Sequence, residues 1–261
     1  MKLHVRAWPA VGIGSALARH DAVVVVASLH ASGEALAEAA RTLSAHERTR
    51  YEDYTNAVVA RRFAVARALV RHVLSDALGM APAAVPIVSG LHGKPRLAYE
   101  ASTRPLWFSV AHTEDLALVA LSYGSEVGVD VERIRAIEQW ERVADRVLDP
   151  AERAQLRVAV DAGEDAGTAF LRHWCRVEAE LKAIGCGIAG LEAHLAGKRP
   201  LGLRVRDLDA LPLPADVAAT GARYQASVAL CAAGVESARQ SAFAASQASM
   251  PTTRPARAST A

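Results

Sequence analysis

The chain has 261 residues, 51% of them hydrophobic and 22% charged, with a formal net charge of +2. That is the profile of a globular protein of one large domain or two small ones, and it argues against a basic coat for bulk nucleic-acid binding. Three cysteines without metal-ligand spacing exclude a disulfide framework or zinc site, and the longest strongly apolar run, Ala22 to Leu29, is too short to span a bilayer. A reducing, cytoplasmic setting with neither membrane nor nucleic acid as partner is therefore expected.

The β-branched run Val23 to Leu29 reads as a buried strand. Gly33 to Leu43 then has a helical pattern, and Ser44 is placed to cap a helix beginning Ala45-His46-Glu47. A long helix follows from Ala57 to Leu78, with Phe63, Ala66, Val70, Val73 and Ala77 at helical spacing and Gly79 as its stop. Residues 81–105 are rich in Pro and Gly, which implies loop with short strands. Three strands come next, at Leu106 to Val110, Leu116 to Leu121 and Val127 to Glu132. Their short turn-like connections predict an antiparallel meander. Helices are expected over Glu138 to Leu148, Pro150 to Val160 and Ala169 to Ile184, and a last strand over Tyr224 to Ala232. In the last, 236–261, 18 of 26 residues are Ala, Ser, Thr or Pro, a composition that predicts a disordered tail.

Three groups of residues carry chemistry. In Val127-Gly128-Val129-Asp130-Val131-Glu132, strand alternation turns the valines one way and both carboxylates the other. Such a pair beside a buried face calls for a cation, and oxygen donors suit Mg²⁺ or Mn²⁺. A solvated acidic strand face would look the same. The strand order also returns these carboxylates toward the end of the sheet where His112 lies, in a segment read as a turn. In the 169–184 helix, Trp174, Glu178 and Lys182 follow one another at four-residue steps along one side; an ordinary helical Glu–Lys pair has that spacing too. Arg48, Arg50, Arg61, Arg62, Arg67 and Arg71 form a dense cationic group, and Lys94 and Arg96 sit on a glycine-containing loop. Guanidinium forks bind phosphate oxygens, although a basic helix face in solvent accounts for the same density.

In this order, Gly93-Lys94-Pro95, Phe108-Ser109-Val110-Ala111-His112, Gly128-Val129-Asp130-Val131-Glu132 and Trp174 with Glu178-Ala179 and Lys182 resemble the surfactin-type 4′-phosphopantetheinyl transferases, over roughly residues 40 to 190. The resemblance implies an α+β, pseudo-twofold monomer of two similar α/β halves, antiparallel sheets packed with helices, and an active site between the halves. It implies transfer of phosphopantetheine from coenzyme A to a serine of an acyl or peptidyl carrier protein, with release of 3′,5′-ADP. Residues 1–124 would form the coenzyme A cradle, with Arg50, Arg62, Lys94, His112 and Lys182 as binding residues. Residues 125–235 would supply Asp130, Glu132 and Glu178 for Mg²⁺, with Glu178 and Lys182 as catalytic groups. The chain departs from the family pattern at Ala111, where a serine is common, at Val177, where a lysine is common, and at Glu47, where a cation is common. Arg176, next to Val177, points elsewhere around the helix and is not expected to compensate. The residues alone leave two other readings open: a Mg²⁺-dependent phosphohydrolase or nuclease, and a binding module without catalysis.

Overall fold

The computed structural model describes residues 1–98 and 105–232; the expected tail at 236–261 lies outside them. The N-terminal half comprises β1 (Leu3–Ala7), α1 (Ile13–Leu17), β2 (Ala22–Ser28), α2 (Gly33–Arg41), α3 (Ala45–Glu52), α4 (Ala57–Leu78), the short strands β3 (Ile87–Ser89) and β4 (Pro95–Leu97), β5 (Leu106–Thr113) and β6 (Leu116–Tyr123). The C-terminal half comprises β7 (Ser125–Arg133), α5 (Trp140–Val147), α6 (Pro150–Asp161), α7 (Ala166–Ile184), α8 (Leu191–Leu195), β8 (Arg204–Asp207), α9 (Ala215–Ala218) and β9 (Tyr224–Ala232).

The first sheet has the strand order β1-β2-β6-β5, parallel between β1 and β2 and antiparallel elsewhere. Its apolar runs have no polar alternation because both faces are covered. Val23, Val25 and Ala27 of β2 join Val119 and Leu121 of β6 in a core with α1 and α4. Val24 and Val26, with Leu116 and Leu118, point into a second core shared with the other sheet. That second sheet has the order β7-β9-β8 and is antiparallel throughout. Val127, Val129 and Val131 of β7 and Ala226, Val228 and Leu230 of β9 supply its side of the shared core. Each half thus lays one long helix, α4 or α7, on its own sheet, and the two sheets meet between them.

The expected meander holds for β5 and β6 and fails at β7. β7 leaves the first sheet and pairs with β9, from Ser125↔Ala232 to Arg133↔Tyr224. The reason is packing: β7 is buried from Glu126 to Val131, its valines in the shared core and its other face against α7. Local signals set the helix ends. Ser44 and Glu47 form a reciprocal capping box on α3, Asn56 caps α4, and Asp149 and Glu152 form a second box on α6, which starts at Pro150. Gly79 and Gly185 end α4 and α7 in left-handed conformations, φ 66° and 74°. No helix among the described residues is long and apolar enough to cross a membrane.

Candidate functional site

The contact between β7 and α7 is closer than side chains allow. A Cβ on Gly128 would lie 2.0 Å from the Ala179 carbonyl oxygen and 2.3 Å from the Ala183 nitrogen. The helix backbone therefore rests directly on the strand, with Ala179 and Ala183 in a small core against Ala229 and Cys231. This seating brings the next outward residue of β7, Asp130, beside Lys182. Lys182 Nζ donates to Asp130 Oδ1 at 2.6 Å and stands 3.9 Å from Glu178 Oε2. Asp130 is only 6% exposed, and its Oδ2 is a buried oxygen with no hydrogen-bond partner among the described residues.

Burial holds the Glu178 carboxyl above the ordinary range; Lys182 opposes this, while the nearby charges of Asp130 and Glu132 push it further up. Glu132 is partly exposed and accepts from Arg135 Nη1 at 3.2 Å. Cys175 is buried one turn before Glu178, and burial followed by the charge of Asp130 keeps it a thiol.

A cleft of about 270 Å³ opens beside this cluster. His92, Lys94, Pro95, Ser109 and Val110 line it from the N-terminal half, and Glu178, Leu181, Lys182, Gly185 and Gly187 from the C-terminal half. Lys94, Glu178 and Lys182 are the expected site residues on its wall. Asp130 reaches it through Lys182. His112 is the penultimate residue of β5, so the turn is shorter than expected and consists of Glu114 and Asp115. Desolvation by the surrounding walls, then Lys182 and Arg62, lowers the His112 pKa, which puts all three in one electrostatic neighbourhood.

The arginine group divides by role. Arg71 is buried, donates to Glu47 at 2.6 Å and to the carbonyls of Pro82 and Val85 at 3.1 Å, and so fastens α4 to α3 and the following loop. Arg67 joins Glu47 at 3.2 Å. Glu47, which stands where the family commonly has a cation, is thus a buried structural anion. Arg62 grips Asp115 with Nε and Nη2 at 2.9 and 3.1 Å, and Arg61 adds a bond of 2.8 Å to the same carboxylate. Arg50 lies over the ring of Phe63, 5.2 Å from its centre. Neither Arg50 nor Arg62 lines the cleft. Asp115 carries no pattern that singles it out in the sequence, because its partners are distant: Arg61 and Arg62 on α4, and His30 at 3.3 Å.

The departures have local explanations. Ala111 is buried in the core between the sheets, and Val177 is wholly buried among α5, α6 and α7. Arg176 is held by Asp207 of β8 through Nε at 2.8 Å, away from the cleft. The expected trio Asp130, Glu132 and Glu178 does not have its oxygens drawn within 4.8 Å of one another. Among the described residues the cluster that does is Asp149, Glu152 and His194, which the sequence reading missed. Its ligand positions are taken: Arg199 donates to Asp149 at 2.8 Å and to Glu152 at 2.7 Å. The Arg199 guanidinium already neutralises those oxygens, so this cluster is a salt-bridge network. Asp130, with one buried oxygen unpartnered, suits a hard cation better.

Comparison with known proteins agrees with the two-half architecture. Residues 126–209 match the model of the 4′-phosphopantetheinyl transferase superfamily, and residues 28–123 match that of the 4′-phosphopantetheinyl transferase N-terminal domain. The 4′-phosphopantetheinyl transferase HetI of Nostoc sp. is 36% identical over 157 residues, 60% of this chain and 65% of that protein. The 4′-phosphopantetheinyl transferases AcpT of Salmonella typhi and Escherichia coli are 38% and 36% identical, over 44% and 48% of this chain and 56% and 57% of their own lengths. The matched segment therefore spans less than two thirds of each of these relatives. Both halves, in tandem and in order, are thus similar to models of 4′-phosphopantetheinyl transferases.

Proposed function

We propose that this chain is a surfactin-type, monomeric 4′-phosphopantetheinyl transferase that takes coenzyme A as substrate and an acyl or peptidyl carrier protein as partner. The observation that carries the reading is the cleft itself: Lys94 faces Glu178 and Lys182 across it, with Asp130 bonded to Lys182. Two cations and a set of carboxylates at a boundary between two halves suit a doubly charged pyrophosphate and a metal. Asp130, Glu132 and Glu178 would hold Mg²⁺. The buried unpartnered oxygen of Asp130 fits a divalent ion, as does Glu178, whose pKa is raised by burial and then by the charges of Asp130 and Glu132. When bound, the ion would neutralise charge on the pyrophosphate oxygens.

The chain's own groups account for the rest. The hydroxyl oxygen of the carrier serine attacks the β-phosphorus of coenzyme A, the bond from that phosphorus to the bridging oxygen breaks, and 3′,5′-ADP departs. Glu178 takes the serine proton; a carboxylate with a raised pKa is the stronger base, and such a base contributes about 10²- to 10⁴-fold. Lys182 and Lys94 bind phosphate oxygens, and orientation supplies much of the remaining acceleration. Arg62 and His112 bind the 3′-phosphate at the nucleotide end, and Arg50 extends the cationic rim. Asp115 keeps Arg62 aimed while leaving the Arg61–Arg62 pair a net positive charge. The chain, coenzyme A and Mg²⁺ are to be incubated with a panel of apo-carriers, each weighed afterwards. A gain of one phosphopantetheine on any carrier supports the reading; unchanged masses throughout with a folded protein refute it.

A further inference from the structure

Glu180 lies on α7 between Glu178 and Lys182 but engages a different part of the molecule. His194 on α8 stands between two carboxylates, with Nε2 2.9 Å from Glu152 Oε2 and Nδ1 3.2 Å from Glu180 Oε2. A carboxylate at each ring nitrogen favours the imidazolium, although Arg199 Nη2 also stands 3.4 Å from Nε2. Its side chain is 2% exposed, so this cation is sealed in. Arg199 completes the network, with Nε to Glu180 at 3.0 Å, Nη1 to Asp149 at 2.8 Å and Nη2 to Glu152 at 2.7 Å. Two cations and three carboxylates thereby tie α7 to the capped start of α6 and to α8.

The helix geometry gives this network a consequence for the cleft. Successive residues turn by about 100°, so Ala179 and Ala183 form the face seated on β7, Glu178 and Lys182 share one flank, and Glu180 occupies the other. The seat at Gly128 is a contact of backbone on backbone, so the roll of the helix there depends on what grips its flanks, Arg176 by Asp207 and Glu180 by His194 and Arg199. A roll that lifts one flank lowers the other. We infer that the clamp of Glu180 by His194 and Arg199 is a positioning device that fixes the roll of α7 and so sets Glu178 and Lys182 at Asp130. The inference rests on the reading of the cleft given above. It makes His194 and Arg199 positioning residues for a centre they do not touch. Loss of a partner bonded directly to a metal ligand lowers metal affinity by about 10- to 100-fold, and a clamp one step further out is expected at the lower end of that range.

The test is Mn²⁺ binding to the full chain without coenzyme A or carrier, followed by the free-ion signal in electron paramagnetic resonance. His194→Gln and Arg199→Lys are each expected to weaken Mn²⁺ binding by about 10-fold. Asp76→Ala, which removes the cap on Gly12 and Ile13 in the other half, serves as a control of reduced stability and is expected to bind Mn²⁺ like the wild type. Wild-type affinity in both clamp variants, or an equal loss in the control, overturns the inference. No Mn²⁺ binding by the wild type overturns the reading of the cleft instead. Imidazole ¹⁵N spectra of the wild type at pH 7.5 give a result that no folding defect can obscure. Both His194 nitrogens are expected to be protonated, and a neutral ring overturns the clamp.

Discussion

The two flanks of α7 carry similar residues and solve the problem of buried charge differently. On one flank Asp130 has a single lysine partner and a buried oxygen left over, and its charge, with that of Glu132, adds to the cost burial sets on ionising Glu178. On the other flank Asp149, Glu152 and Glu180 share a guanidinium and an imidazolium, and the hydrogen bonds close on one another. A satisfied network is scaffold; an incompletely satisfied one beside a cleft is where a ligand's charge is expected. Acidic residues close together are therefore a poor guide to a metal. What distinguishes the flanks is whether the protein has already supplied the cation.

The largest effect is expected on the open flank. Glu178→Gln should lower transfer by about 10²- to 10⁴-fold at saturating Mg²⁺ or Mn²⁺, because it removes both a charge and a base while keeping the shape. Full recovery of the rate at high metal would make Glu178 a ligand alone, and normal turnover with normal metal dependence would remove it from the site.

The closed flank should respond in stability and in its pH profile. Burial opposes the charge on His194, but hydrogen bonds to Glu152 and Glu180 raise its pKa to about 9 from an ordinary 6.5. The folded protein therefore holds this proton more tightly than the unfolded chain. The stabilisation is complete below pH 6.5 and is lost as pH rises to about 9. Arg199 and, more remotely, Arg176 and His173 share the field of Glu152. Of these only His173 titrates nearby, and its pKa is lowered, chiefly by burial, so it stays neutral over this window. Melting temperature is expected to fall by roughly 5 °C between pH 6.5 and 9 in the wild type. In His194→Gln the fall should be much smaller, and equal slopes would break the contrast between the flanks.

Smaller effects belong to the N-terminal half. Arg62→Ala should raise KM for coenzyme A by about 10-fold, the scale of one charge-assisted hydrogen bond, with little change in kcat. The difference from wild type should narrow with dephospho-coenzyme A, and an unchanged gap would move Arg62 away from the 3′-phosphate. Asp115→Asn should produce a weaker form of the same phenotype by releasing Arg62. A fall in KM would mean that Asp115 competes with the phosphate instead of aiming the arginine.

Much of this was legible before the fold was known. The bounds of α4 and β9 follow from apolar spacing and from Gly79, and the capping box at Ser44 and Glu47 is local chemistry. That Asp130 on a strand would meet Glu178 and Lys182 on a helix was implied by the family resemblance and not by their spacing alone. What was not legible depends on contacts between distant segments. β1 has a mixed polar pattern because it is a half-exposed edge, and it escaped notice. The departure of β7 to a second sheet cannot be read from a short turn, since both arrangements bury the same valines. Arg71 and Arg62 look alike in sequence, yet one is a buried brace and the other a partly exposed fork, a difference set by Glu47 and Asp115. His194 and Arg199 gave no signal, because their partners lie on α6 and α7.

Phosphopantetheine transfer through Glu178 is tested by weighing an apo-carrier after incubation with coenzyme A and Mg²⁺, wild type and Glu178→Gln side by side. The wild type should add one phosphopantetheine to the carrier serine and release one 3′,5′-ADP for each, while Glu178→Gln leaves the carrier almost wholly unmodified over the same interval. Unmodified carriers across a broad panel with folded wild-type protein, or equal modification by the variant, would contradict it.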